Sequence, residues 1–296
     1  MILLPILAAL GASAGWATGV VLAHGPARQL GAFEFTRIQL IACSAILAAL
    51  CSGLGYWSTV AWAYWPAFGM SICIGIVLGN LAMIECLRRG GPRRTELLLS
   101  LKAPLVAGMA LIWLGETPSA ADLLGAGVTL CGVGLAVGFG GKERVATEAI
   151  DGTLWTVVVL GLAATACQGF GFLVMKPAML AGTEPLAASA IRLLGAAFVI
   201  SIVALWPRCR HAAHPDMTPA LLGRTILPGF IGYGVSSTLL LYAFANFDAG
   251  VAAVLGSLSP VLVLPILWFK NGKRPHQTAI IGAGLAVAGT AIIVLF

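Results

Sequence analysis

Charge is scarce in this sequence. Aspartate, glutamate, lysine and arginine together supply 9% of its 296 residues, where an ordinary soluble domain carries about 25%. That deficit, beside 59% hydrophobic residues, excludes a water-soluble globular fold and makes the membrane span the useful unit of description. The formal net charge of +6 does not indicate a nucleic-acid partner, because the basic residues fall in short loops between apolar runs, where they orient a membrane protein. Disulfide and metal-ligand spacings are missing as well. The seven cysteines (Cys43, Cys51, Cys73, Cys86, Cys131, Cys167 and Cys209) form no CxxC and mostly lie inside apolar runs, as small buried hydrophobes do. His24, His211, His214 and His276 sit at loops or span ends, and the metal-like His211/His214 spacing belongs to a solvated loop. There is no nucleophile elbow, phosphate loop or HExxH, so neither enzyme activity nor a cofactor is expected. No basic segment precedes the first apolar run, which is expected to be a retained span and not a cleaved signal.

What the chain does have is apolar length. Runs long enough to span a bilayer fall near 2–23, 32–52, 65–86, 95–115, 119–140, 153–175, 186–206, 225–245, 249–269 and 277–296. The longest interruption, 207–224, is a loop, so no soluble domain is expected. The fourth and fifth runs, and the eighth and ninth, are so closely linked that antiparallel neighbours are expected. Gly11, Gly15 and Gly19 mark one face of the first span as a close-packing surface, as do Gly75/Gly79 and Gly134/Gly138 in theirs.

Two stretches are near-copies. Asp248–Phe269 reads DAGVAAVLGSLSPVLVLPILWF, and Thr95–Gly115 reads TELLLSLKAPLVAGMALIWLG, with Pro260 and Pro104 aligned 156 residues apart. Proline and small polar residues within a span free backbone groups that need partners inside the protein, so both helices belong in a bundle or beside a cavity. The copying extends further. Arg192 aligns with Arg37, Pro275 with Pro118, Gly282 with Gly125 and Gly284 with Gly127. The expected fold is therefore an all-α integral membrane protein of ten transmembrane helices. Residues 1–141 form a first five-span repeat, 142–151 a connecting loop and 152–296 a second repeat. Five spans is an odd number, so the second repeat enters the membrane from the opposite side. Inverted repeats of this kind place a substrate near the midplane, where the halves meet.

The early arginine of span two, the serine-leucine-x-proline element of span four, the short loop with Glu116 and the glycine-rich fifth span resemble the EamA repeat. YAFANFDAGVAAVLGSLSPV resembles its second copy. The chain thus resembles the ten-helix members of the drug/metabolite transporter superfamily over nearly its whole length. That resemblance implies a secondary transporter, often an exporter of amino acids or other small metabolites, working by alternating access. Lys273 stands where the second copy would carry the loop glutamate, and Lys102 is unusual within the span-four element.

Charges inside spans are costly and therefore informative. Lys102 lies about 12 Å into its span by helix rise, near the midplane, where snorkelling is difficult. It calls for an internal partner or a ligand. Arg192, about seven residues into its span, is comparable to Arg37 but lacks a local acid. Arg37 is shallower than Lys102 and has Glu34 three residues before it, while Glu85 lies beside Arg88 and Arg89; these acids are candidates for ion pairs or for coupling. Asn80, Gln168, Ser236, Ser237, Ser257 and Ser259 could line a cavity or join helices, and Trp16 sits mid-span among small residues. The candidate substrate site is Lys102, Trp16, Asn80, Gln168, Arg192 and Ser257.

The expected function is secondary transport of a small polar metabolite such as an amino acid or organic anion, with proton coupling as the default. The alternatives are a non-transporting membrane scaffold or regulatory subunit, and a lipid translocator. Ten spans supply both halves of a pathway, so a functional monomer in the bilayer is expected. Loops after odd-numbered spans hold thirteen Lys and Arg residues against one, Lys176, after even-numbered spans. The positive-inside rule then puts the odd-span loops in the cytoplasm of an inner, plasma-type membrane and both termini outside. The family resemblance implies the reverse orientation of the termini.

Overall fold

A computed structural model describes residues 3–138, 151–205, 217–271 and 277–295. The expected connecting loop up to residue 150, the His211/His214 pair and Pro275 lie outside those residues. The described residues form helices and no strand, as backbone polar groups in hydrocarbon require.

In chain order the helices are α1 (Leu3–Leu54), α2 (Trp65–Met70), α3 (Gly79–Ser100), α4 (Lys102–Leu114), α5 (Ala120–Gly138), α6 (Leu154–Leu173) and α7 (Lys176–Leu180). Then come α8 (Pro185–Ala204), α9 (Pro219–Gly229), α10 (Ser237–Asn246), α11 (Ala249–Leu255), α12 (Ser259–Asn271) and α13 (Gln277–Leu295). Seven stretches among the described residues are long and apolar enough to cross a membrane: Leu3–Leu54, Trp62–Pro92, Arg94–Leu114, Leu154–Leu180, Pro185–Ala204, Pro219–Asn246 and Ala249–Ile266. Two shorter apolar helical stretches are Ala120–Leu135 and Gln277–Gly289. The long α1 is not one rod. Gly31 (φ 75°, ψ 166°) turns a corner within it, as Gly91 (φ 78°, ψ 168°) does within α3, and side chains other than glycine rarely adopt such a φ.

Two further irregularities position the site. The chain breaks helical geometry at Leu101, between α3 and α4, and again at Gly256–Leu258, between α11 and α12. Both breaks come just ahead of the aligned prolines Pro104 and Pro260. Wide π-helical turns also occur twice, at Ser71–Leu78 leading into α3 and at Phe230–Ser236 leading into α10. Such turns often mark functional positions.

Small residues decide which helices meet. Gly11, Gly15 and Gly19 lie against Leu239, Ser236 and the Pro228 carbonyl, so the segment before Gly31 packs on α9 and α10. The α6 helix packs on α3 and the π turn before it, where Gly75 and Gly171 meet backbone to backbone. The short α4–α5 connection does not make those helices packing neighbours. Instead α5 lies along α13 and α4 along α11 and α6. A short loop fixes only where two helix ends sit; here Gly132 against the Ala286 backbone and Gly289 against Thr129 give α5 and α13 the closer approach. Gly134, expected to be a contact glycine, faces open space within 4 Å, and the side of α5 that packs is that of Gly132.

Candidate functional site

The helix breaks, the π turns and the middle of α6 surround one cavity of about 70 Å³, room for a few water-sized groups. Its lining includes all six candidate substrate residues: Trp16, Asn80, Lys102, Gln168, Arg192 and Ser257. These come from five helices and the α11–α12 break, so only the assembled bundle brings them together.

Lys102 opens α4 immediately after the Leu101 break and is 6% exposed. Its Nζ donates to Gln168 Oε1 at 3.4 Å and stands 4.8 Å from the Trp16 ring centroid and 5.8 Å from that of Phe172. Cation–π attraction of this kind strengthens where water is excluded. Gln168 Nε2 donates to Asn80 Oδ1 at 3.1 Å, so the amide pair relays the lysine to α3. Arg192, 2% exposed, donates through Nε to Ser71 Oγ at 2.7 Å and through Nη1 to Ser237 Oγ at 3.4 Å. Its guanidinium lies 4.7 Å from the Phe172 centroid. Ser71 in turn donates to the Gly171 carbonyl at 2.5 Å. Thus the π turn that carries Ser71 holds the arginine, which has no acidic partner among the described ion pairs. Ser257 Oγ donates to the Ala253 carbonyl at 2.7 Å, beside the α11–α12 break.

The other candidates lie apart. Glu34 and Arg37 form an ion pair at 2.7 Å, and Glu85 pairs with Arg88 at 2.8 Å and Arg89 at 2.5 Å; none of these residues lines the cavity. Arg37 and Arg192 align in sequence yet differ in setting, because only Arg192 is drawn into the centre.

Two acids that sequence reasoning did not place in the site make defined contacts, one of them in the cavity. Glu96 lines the cavity at 1% exposure, within electrostatic reach of Lys102. Ser259 Oγ donates to its Oε2 at 2.5 Å, while its Oε1 has no hydrogen-bond partner among the described residues. Asn80 Nδ2 and Tyr233 OH are likewise buried without partners. Glu116, in the α4–α5 connection, forms an ion pair with Lys176 and accepts from the Ala249 N–H at 2.7 Å. Lys176 also donates to the Phe247 carbonyl at 3.0 Å. This clasp joins the α4–α5 connection to α7 and to the start of α11. The cavity reaches away from it, towards Ala23, Phe35, Leu87 and Glu96, which flank the Gly31 and Gly91 corners.

The sequence matches the EamA-like transporter family twice, over residues 3–138 and again over 155–295. A probable terminal-alkyne amino-acid exporter of Streptantibioticus cattleyicolor is 28% identical over 206 residues, covering 68% of this chain and 64% of that protein. The quaternary ammonium compound-resistance protein QacF of Klebsiella aerogenes is 38% identical over 63 residues, covering 21% of this chain and 57% of that protein. The matched part is thus under two thirds of the length of each of these curated relatives. A solved crystal structure superimposes with a TM-score of 0.74 at 17% identity, covering 98% of this chain and 96% of the other, which is a likeness of fold.

Proposed function

Given that the chain belongs to the EamA-like transporter family and is a multi-pass helical membrane protein, we propose that it is a secondary active transporter. Its substrate is a small metabolite bearing a carboxylate or other anion, an amino acid or an organic anion, and the direction is export. The observation that carries this reading is the burial of Lys102 and Arg192 in one cavity at the helix breaks. Two buried cations share that cavity with Glu96, the one acid among its described lining residues, and buried charge is stable only when paired. An anionic ligand restores the balance; a permanently cationic one opposes it. The exporter named among the relatives supports outward transport of an amino acid.

The proposed architecture is ten spans in two inverted halves, 1–141 and 152–296, rocking about the cavity. Support comes from the double family match, the paired helix breaks and the paired π turns. Taking α1 as two spans at Gly31 and adding the two shorter apolar helices to the seven long stretches gives the same ten. Ligand drives such rocking only by binding the two states differently. A monomer in an inner, plasma-type membrane completes the proposal, with a proton as coupling ion. A scaffold or regulatory subunit would have no use for buried charge in a cavity at the helix breaks.

Purified protein in sealed lipid vesicles, loaded with a panel of labelled amino acids and organic acids, tests the reading. Saturable flux of at least one carboxylate, lost in Lys102→Ala, is expected. Absence of flux across the panel favours the scaffold, and flux of labelled phospholipid alone favours the lipid translocator.

A further inference from the structure

We propose that Glu96 and Ser259 form a subsite for a protonated amino group, so that the transported carboxylate also carries an ammonium. This deepens the reading of the cavity as a carboxylate site and rests on it. Glu96 is 1% exposed, and one of its two oxygens is idle. An ionised carboxylate can accept about four hydrogen bonds, and leaving part of that capacity unmet in a buried site is unfavourable. Ser259 orients the group by donating to Oε2. Oε1 is left for a donor that the described protein does not provide.

Lys102 feels this acid but is directed elsewhere. It forms no described ion pair with Glu96, its hydrogen bond goes to Gln168 and its charge lies over Trp16. Three other cation acceptors around the cavity are taken. Lys102 occupies the Trp16 face, Arg192 lies over Phe172, and Asn80 Oδ1 is engaged by Gln168. An arriving ammonium therefore finds Glu96 Oε1. The cavity that holds Lys102 also offers idle donors at Asn80 Nδ2 and Tyr233 OH to an arriving carboxylate. A free acceptor carrying negative charge and free donors beside positive charge are complementary to a zwitterion.

The test compares matched ligands on the full chain in lipid nanodiscs: L-leucine against 4-methylpentanoate, and L-glutamate against glutarate. Affinities are read from thermal stabilisation, which any ligand selective for the folded state must produce. In the wild type the amino acid of at least one pair should bind about tenfold more tightly than its deaminated partner, about 1.4 kcal/mol. Glu96→Gln should bring that ratio to near unity. Ser259→Ala should reduce the ratio partway. Equal binding within both pairs overturns the subsite, as would a ratio that survives Glu96→Gln. That pattern would also favour a proton as the partner of Glu96. Should Glu96→Gln fail to fold, the wild-type ratio and Ser259→Ala still decide. If neither carboxylates nor amino acids bind the wild type, the carboxylate reading itself fails and the subsite with it.

Discussion

At Lys102 a side chain that disfavours membrane insertion is kept in the middle of the bundle. A central lysine opposes insertion by roughly 2.5–3.5 kcal/mol on translocon scales, so Lys102→Ala removes that term. It also strips Glu96 of its nearby positive charge, which is destabilising in a buried site. These opposing effects can be separated. Lys102→Ala should insert, bind a probe carboxylate at least about tenfold more weakly, and recover any lost thermal stability when combined with Glu96→Gln. The affinity should not recover with it. Lys102→Arg should keep part of the binding, because charge survives while shape changes. Unaltered carboxylate binding by a stable Lys102→Ala protein would remove the lysine from the site. Eight residues of the cavity lining were singled out in sequence, and Asn80, Lys102, Gln168 and Arg192 among them because charge or amide within an apolar run stands out. Glu96 was not, since a carboxylate two residues into a predicted span looks interfacial. What buries it is Ser259, 163 residues away, together with the chain's turn at Gly91, and no local pattern encodes that contact.

Among the helices, the tightest argument concerns backbone approach. A Cβ added at Gly75 would lie 2.6 Å from the Gly171 Cα, and one at Gly171 would lie 2.5 Å from the Gly75 Cα. Neither backbone can move aside without separating α6 from the π turn before α3. Gly75→Ala and Gly171→Ala should each lower stability by roughly 1–3 kcal/mol, as overpacking does, seen as reduced melting temperature in detergent. Gly134→Ala meets open space and should be neutral or slightly stabilising, since alanine is favoured over glycine in helices by about 1 kcal/mol. A Gly134 variant as damaging as the Gly75 variant would contradict the packing described. The glycine spacing in the sequence marked the faces on span one and at Gly75 but misjudged α5. Periodicity tells which residues share a face; it does not tell which face finds a partner.

For the whole molecule, orientation can be predicted from charge. Thirteen basic residues in the loops after odd-numbered spans against one after even-numbered spans place the odd-span loops in the cytoplasm by the positive-inside rule. A reporter fused after Phe296 that is active only in the cytoplasm should stay silent, and a strong signal would reverse the assignment. The cavity would then extend towards the cytoplasm from the helix breaks. The opposite, external end would be where Glu116 meets Lys176.

The end of the bundle with Glu116 and Lys176 supports a last prediction. Glu116 belongs to the first family match, while Lys176 and Ala249 belong to the second, so the clasp ties the two halves together away from the cavity mouth. Glu116 satisfies an orphan N–H at the start of α11 and places negative charge at a helix N-terminus, both favourable. The side chains of Lys176 and Glu116 are only 8% and 18% exposed. Breaking a fully buried pair costs roughly 3–5 kcal/mol, and partial exposure lowers that figure here. If the clasp holds this end shut, Glu116→Gln should raise amide exchange in the first turn of α11 by about tenfold or more, a loss of about 1.4 kcal/mol of local protection. Exchange in the middle of α5 and α13, which pack chiefly on each other, should not change. Lys176→Met should do the same, because it leaves the Phe247 carbonyl and the glutamate without their shared donor. Unchanged exchange at α11 in both variants would mean that the halves are held at this end by helix packing alone.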